Sequence, residues 1–168
     1  MMSLYKSVDS ASGNTVFEVD DNGKIVTPVT CPASLVQNVT KTTQQTNNTT
    51  SLANDTHLTF PIGTGETWAG RITIYSWCHS AGKDIKWDIR GPLGCSLFYG
   101  ELVAAEAKTT GTLVIPQTNR DQVHTIQFYA KTAVASGSIT LRWAQNTLSA
   151  LEPITFRVGS FLQAYKVV

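Results

Sequence analysis

Charge is scarce in this chain: Asp, Glu, Lys and Arg together make up 15% of its 168 residues, and the formal net charge is +1 at pH 7. A surface so close to neutral sets up no broad field to attract nucleic acid or an anionic membrane, so neither is expected as a partner. Cysteine is scarce too. Cys31, Cys78 and Cys95 are odd in number and show no CxxC spacing, which argues against a disulfide framework and predicts reduced thiols in a cytosol-made protein. No run approaches the roughly 18 apolar residues of a membrane helix. The opening MMSLYKSVDSASG lacks the apolar stretch of a signal peptide, so secretion is not expected.

Thr, Ser, Asn and Gln fill the polar positions instead. A chain of this length fits one domain, or one domain with an arm, and buries roughly 70% of its extended surface on folding. It can stand without covalent staples.

The clearest pattern lies at 67–94. In 84–90 the side chains alternate, with Ile85, Trp87 and Ile89 on one face and Asp84, Lys86, Asp88 and Arg90 on the other. That is the period of a half-buried strand. Upstream, Trp68, Ile72 and Ile74 share one parity while Arg71, Thr73, Tyr75 and Trp77 take the other, so both faces carry bulky groups and a central or interface strand is expected. The short stretch 78–83 between them predicts an antiparallel hairpin, and Gly91-Pro92-Leu93-Gly94 ends it.

Around this pair the chain divides. Residues 1–15 are small and polar and read as an arm. Asn22-Gly23, between 16–19 and 24–26, signals a tight turn in a small ribbon too short to be stable alone. Residues 39–50 hold one aliphatic residue among many threonines, which fits a solvated edge strand, a linker, or a segment ordered by another chain. From Leu58, Phe60 and Ile62 onward, strand-length segments recur at 95–99, 101–107, 111–115, 122–130, 138–144, 154–158 and 161–167, mostly separated by Gly, Pro, Asn or Asp. Only 101–108 competes as a helical turn. The expectation is an all-β fold, an antiparallel β-sandwich or jelly roll over residues 54–168. Residues 1–53 form an extended N-terminal arm carrying a small β-hairpin.

Little points to catalysis. Cys78-His79-Ser80 beside Asp84 contains the residue types of a nucleophile, a base and an orienting carboxylate, but adjacent turn positions point apart and no G-x-S-x-G elbow frames the serine. His57, His79 and His124 are scattered, without a second ligand at metal spacing. Gly63-Thr64-Gly65-Glu66 lacks the following Lys-Ser/Thr of a phosphate loop and reads as a turn. The acceptor patterns at Asn38, Asn47, Asn48 and Asn54 are what an Asn/Thr-rich composition produces, and they are expected to stay bare. No cofactor or metal site is expected. Tyr75, Trp77, Phe98 and Tyr99 offer an aromatic platform for sugar rings or a partner protein, and core packing explains them equally well. With Phe17, Val19, Ile25 and Val26 of the ribbon they form the candidate interface set.

In chain order, several of these pieces resemble a β-sandwich module of tailed-phage virion proteins, the kind found as head decoration, head fibre or tail components. The matching signals are Asn-Asp-Thr-x-Leu-x-Phe at 54–60, Gly-Glu-Thr-Trp at 65–68, Asp-Ile-Lys-Trp at 84–87 closed by Gly91-Pro92, and the C-terminal block. Within that block Leu141-Arg142-Trp143-Ala144-Gln145-Asn146 and Gly159-Ser160-Phe161-Leu162 are the most specific part. The likeness covers residues 54–168 and leaves the N-terminal segment outside it. It implies a non-enzymatic structural protein of the particle, often trimeric, with no catalytic residues. The resulting expectation is a capsid decoration or cement protein, made in the host cytoplasm and held on the capsid surface, whose partners are the major capsid protein and further copies of itself as a homotrimer. A tail-fibre or receptor-binding module recognising host-surface carbohydrate is the alternative.

Overall fold

In the computed structural model, which describes residues 3–8, 15–20, 25–27, 35–78, 83–101, 107–108, 111–118, 120–149 and 151–167, every element longer than a single residue is a strand. Contacts divide the chain into two units, 1–36 and 37–168. In the first, β1 (Ser3–Val8), β2 (Thr15–Asp20) and β3 (Ile25–Thr27) form an antiparallel sheet in the order β1-β2-β3. The strands expected to flank Asn22-Gly23 do pair, with Val19 opposite Ile25. Residues 3–8, expected as arm, instead pair along β2, with Tyr5 opposite Val19 and Ser7 opposite Phe17.

The second unit is a two-sheet antiparallel sandwich. The small sheet runs β11 (Leu113–Ile115), β8 (Ile85–Arg90), β13 (Gly137–Gln145), β6 (Ala53–Ile62). The large sheet runs β10 (Ala107–Lys108), β9 (Ser96–Glu101), β12 (Asp121–Lys131), β7 (Thr67–Cys78). Beyond β7 the next two places are each filled by two short strands. Both β15 (Phe161–Lys166) and β14 (Ile154–Phe156) pair with β7, then β4 (Val36–Thr40) pairs with β15 and β5 (Gln45–Asn47) with β14.

The inward rows follow the alternation. Leu58 and Phe60 of β6, Ile85, Trp87 and Ile89 of β8, and Ile139, Leu141 and Trp143 of β13 belong to one buried cluster with Trp68, Ile72 and Ile74 of β7 and Ile126 and Phe128 of β12. This geometry corrects the expected hairpin. β7 and β8 lie in different sheets, so the chain crosses the sandwich between them rather than turning back beside itself. Each strand has one face rich in large apolar groups, and burying both faces is achieved by stacking the rows, not by setting them side by side. The connecting residues His79, Ser80, Ala81 and Gly82 lie outside the described set, as do 102–106, where a helical turn competed.

Composition suggested a division at 53/54; contacts divide the chain at 36/37, with the threonine-rich segment paired into the sandwich. Its anchor is Lys41, which is fully buried. Its Nζ donates to Asp55 Oδ2 at 2.8 Å, Asp55 Oδ1 at 3.0 Å and Gln45 Oε1 at 3.1 Å. Asp55 Oδ1 also accepts from the backbone N–H of His57 and Leu58, and Oδ2 accepts from Trp143 Nε1 at 3.2 Å. Trp143 in turn stacks on Phe156, with centroids 3.8 Å apart. A buried charge is tolerated only when paired and hydrogen-bonded, and here each partner of the pair has several bonds.

Where β14 gives way to β15, the backbone of Tyr75 would lose its partners on that side. The Arg157 N–H donates to Tyr75 O at 2.8 Å, and Tyr75 N–H donates to Ser160 Oγ at 3.0 Å. Across the same break, Lys41 N–H donates to Ser160 O and Gly159 N–H to Lys41 O, so the paired strands are stitched through their interruption. Gly159 has φ +89°, a conformation that L side chains rarely adopt.

Candidate interaction surface

Alternate residues of the large sheet face away from the core, and the strand register shows which of them share a row. Phe98 of β9 lies opposite Tyr129 of β12, which lies opposite Ala69 of β7, which lies opposite Tyr165 of β15. Phe98 is 51% exposed, Tyr129 38% and Tyr165 47%, and the Phe98 and Tyr129 rings touch at 6.2 Å between centroids. Neighbouring strands are about 4.8 Å apart, so Tyr129 and Tyr165 flank Ala69 at roughly 10 Å and leave a slot between them. On the opposite face of β7 the next position is held to glycine: a Cβ on Gly70 would meet Gln163 O at 2.5 Å and Phe128 Cζ at 2.7 Å.

The next row is polar. Gln127 lies opposite Arg71, and Arg71 opposite Gln163. Arg71 Nη2 donates to Gln163 Oε1 at 3.2 Å, Gln163 Nε2 donates to Asn38 Oδ1 at 3.1 Å, and the guanidinium lies 5.9 Å from the Phe161 ring centre. Thr125, Thr73 and Phe161 make the third row. Val123, 60% exposed, lies opposite half-buried Tyr75, and Trp77 carries Arg157 over its ring at 5.7 Å while Arg157 Nε pairs with Asp121 at 2.9 Å. In the first three rows the sole formal charge is Arg71, already held by neighbours.

Of the sequence-derived interface set, Tyr75, Trp77 and Phe98 belong to this face. Tyr99 does not. It is 3% exposed, on the opposite side of β9, with its ring 5.7 Å from Trp87 and its hydroxyl donating to Gly111 O at 2.6 Å. Adjacent strand residues point to opposite faces, so Phe98 and Tyr99 never could form one platform. Phe17 and Val19 fall on β2, and Ile25 and Val26 on β3; the side chains of that sheet lie outside the described residues. Ala69, Tyr129 and Tyr165 were missed, although the alternation of Tyr129 against Ile126 and Phe128 register carries the signal for one of them: residues of unlike parity on β12 are buried and exposed in turn.

Two other places bring reactive side chains together. His124 is buried, with Nδ1 3.1 Å from Glu101 Oε1 and Nε2 3.1 Å from Gln117 Nε2; Gln117 Oε1 accepts from Ser76 Oγ at 2.9 Å. With the Gln117 amide donating, the imidazole proton sits on Nδ1 and is donated to Glu101. Ser76 is bonded to the amide rather than to the imidazole, so this is a polar brace and not a nucleophile with its base. Of the four residues singled out near 78–84, Cys78 is fully buried, Asp84 Oδ1 accepts from Gln117 N–H at 3.3 Å, and His79 and Ser80 lie outside the described set.

The second place is an open cleft of about 470 Å³ lined in part by Asp88, Arg90, Pro92, Leu97, Tyr99 and Arg142. Arg142 Nε donates to Asp88 Oδ1 at 2.8 Å and Nη2 to Oδ2, and this bonding raises the Arg142 pKa. Asp88, expected on the exposed face, is buried because Arg142 covers it. Burial raises the pKa of the Cys95 thiol and of the Tyr99 hydroxyl, which makes both poorer nucleophiles at neutral pH. Cys78 and Cys95 are thiols, and Cys31 lies outside the described residues. Among the described residues, no three His, Cys, Asp or Glu side chains gather as a metal site.

No protein-family model matches the chain, and no curated protein does. Among solved structures it is similar to the tripod (BppUct-A-L) from the baseplate of bacteriophage Tuc2009, at 14% identity over 95% of this chain and 76% of that one, with a TM-score of 0.38.

Proposed function

We propose that this protein is a non-enzymatic structural component of a tailed-phage particle, a capsid decoration or cement protein that binds the major capsid protein as a homo-oligomer. The observation that carries a binding role is the outward face of the large sheet. It sets aromatic side chains and one neighbour-bound Arg on a rigid central sheet, the composition of surfaces that bind other proteins. The virion setting rests on the sequence resemblance over residues 54–168. The test is to express the full chain, mix it with capsids that lack it, and follow co-sedimentation. Saturable binding at a fixed ratio to the major capsid protein is the expected result. A chain that ignores capsids but adheres to host cells or their surface glycans would replace this reading with the receptor-binding one.

A further inference from the structure

We infer that the outward face of the large sheet, centred on Phe98, Tyr129, Ala69 and Tyr165, is where copies of this chain pack against one another. The inference deepens the proposed homo-oligomer by naming its contact surface. Three features of the face favour a second copy over an unlike partner. First, large apolar side chains are left open on one side of one sheet: Phe98, Tyr129 and Tyr165 in the first row, Val123 further along and Val167 just past β15. A lone soluble chain seldom leaves so many together.

Second, a surface that meets itself must not repel itself, and the aromatic row with the two rows on its Arg71 side carries a single formal charge, exposed Lys131 lying beyond Tyr129 toward Ser96 and Thr67. Arg71 is bound to Gln163 and laid toward Phe161, so bringing two such faces together sets no unpaired like charges in contact. Third, the face offers both a protruding and a receiving part. The Tyr rings stand beside the Ala69 slot, so a ring from one copy can enter the slot of the next. The small Ala69 side chain keeps the slot open, and β7, paired along both edges, keeps it rigid. The polar row of Gln127, Arg71, Gln163 and Asn38 borders the aromatic contact, with Arg71, Gln163 and Asn38 bonded to one another within the chain.

The experiment measures the mass of the full-length chain in solution by sedimentation or light scattering, with Tyr129→Glu and Tyr165→Glu beside it. Val114→Glu, at an exposed aliphatic position on the small sheet, is the control. The wild type and the control are expected at a multiple of the chain mass, and each Tyr variant at the mass of one chain with an unchanged far-ultraviolet spectrum. A wild-type monomer, or Tyr variants that keep the assembled mass, overturns the inference. If a Glu variant does not fold, covalent labelling of tyrosines in the wild type reads the same surface. Tyr129 and Tyr165 should react slowly, and reaction at the rate of an open side chain overturns the inference. Because mass is read without capsids, an assembled wild type that binds no capsid leaves this surface in place and removes only the decoration role. Tyr variants that stay assembled yet lose capsid binding would instead assign the face to the capsid.

Discussion

Glu66 holds one end of the sandwich together with a single carboxylate. Its Oε2 accepts from Gly63 N–H at 2.7 Å and Trp68 Nε1 at 2.9 Å, and its Oε1 meets Lys166 Nζ at 2.8 Å. The bond to Lys166 is the main reason its pKa is lowered from 4.5 to about 2, with Trp68 and Gly63 adding to it against the opposing effect of burial. A carboxyl whose folded pKa lies below its unfolded value contributes stability that is fully present above the unfolded value and lost as the pH falls through the folded one. Stability from Glu66 should therefore hold at neutral pH and decline between pH 4.5 and about 2. Lys166→Met should lower the denaturant midpoint at pH 7, and the gap to wild type should narrow as the pH drops through that window. A gap that stays constant with pH would assign the loss to packing instead.

At the scale of elements, β4 and β5 are short and polar and would not be stable alone; their pairing with β15 and β14 is reinforced by one buried cation. Lys41 joins the segment between them to β6 through Asp55, and Asp55 reaches β13 through Trp143. Removing one partner of a buried pair strands the other charge, so Lys41→Met should cost about 3–5 kcal/mol. Lys41→Met with Asp55→Asn removes both charges and keeps an acceptor for the His57 and Leu58 N–H groups, and it should recover part of the loss. Denaturant melts of the two variants check this. A double variant no more stable than Lys41→Met would show that the hydrogen bonds, not the stranded charge, carry the energy. The same elements explain why the sequence of 39–50 fits three arrangements equally. A threonine-rich stretch has β propensity but no alternation to say which face is inward, and nothing local marks Lys41 as buried.

At the scale of the whole molecule, the division at 36/37 makes residues 37–168 the unit expected to fold alone. Starting the chain at residue 37 should leave a cooperative melt close to that of the full-length protein. Starting it at residue 54, the boundary that composition suggested, deletes β5 and the rest of β4, exposes the far edges of β14 and β15, and leaves Asp55 without Lys41. That shorter chain should be markedly less stable in a thermal melt; equal melting of the two would mean that the edge segment adds nothing.

The sequence by itself determined that the fold is all-β and which side chains face the core of most strands. Ile85, Trp87 and Ile89, or Ile139, Leu141 and Trp143, alternate with polar neighbours, and a period of two is a local property that needs no knowledge of the partner strand. It also marked the turn at 63–66, where Gly65 has φ +70°. Only the tertiary structure decided which strands pair. β7 and β8 are separated by a hairpin-length connection yet lie in opposite sheets, because the choice between turning back and crossing over rests on how two apolar rows are best buried. The aromatic face was likewise decided at that level. Phe98, Tyr129, Ala69 and Tyr165 are far apart in the chain, and antiparallel register across four strands is what sets them in one row.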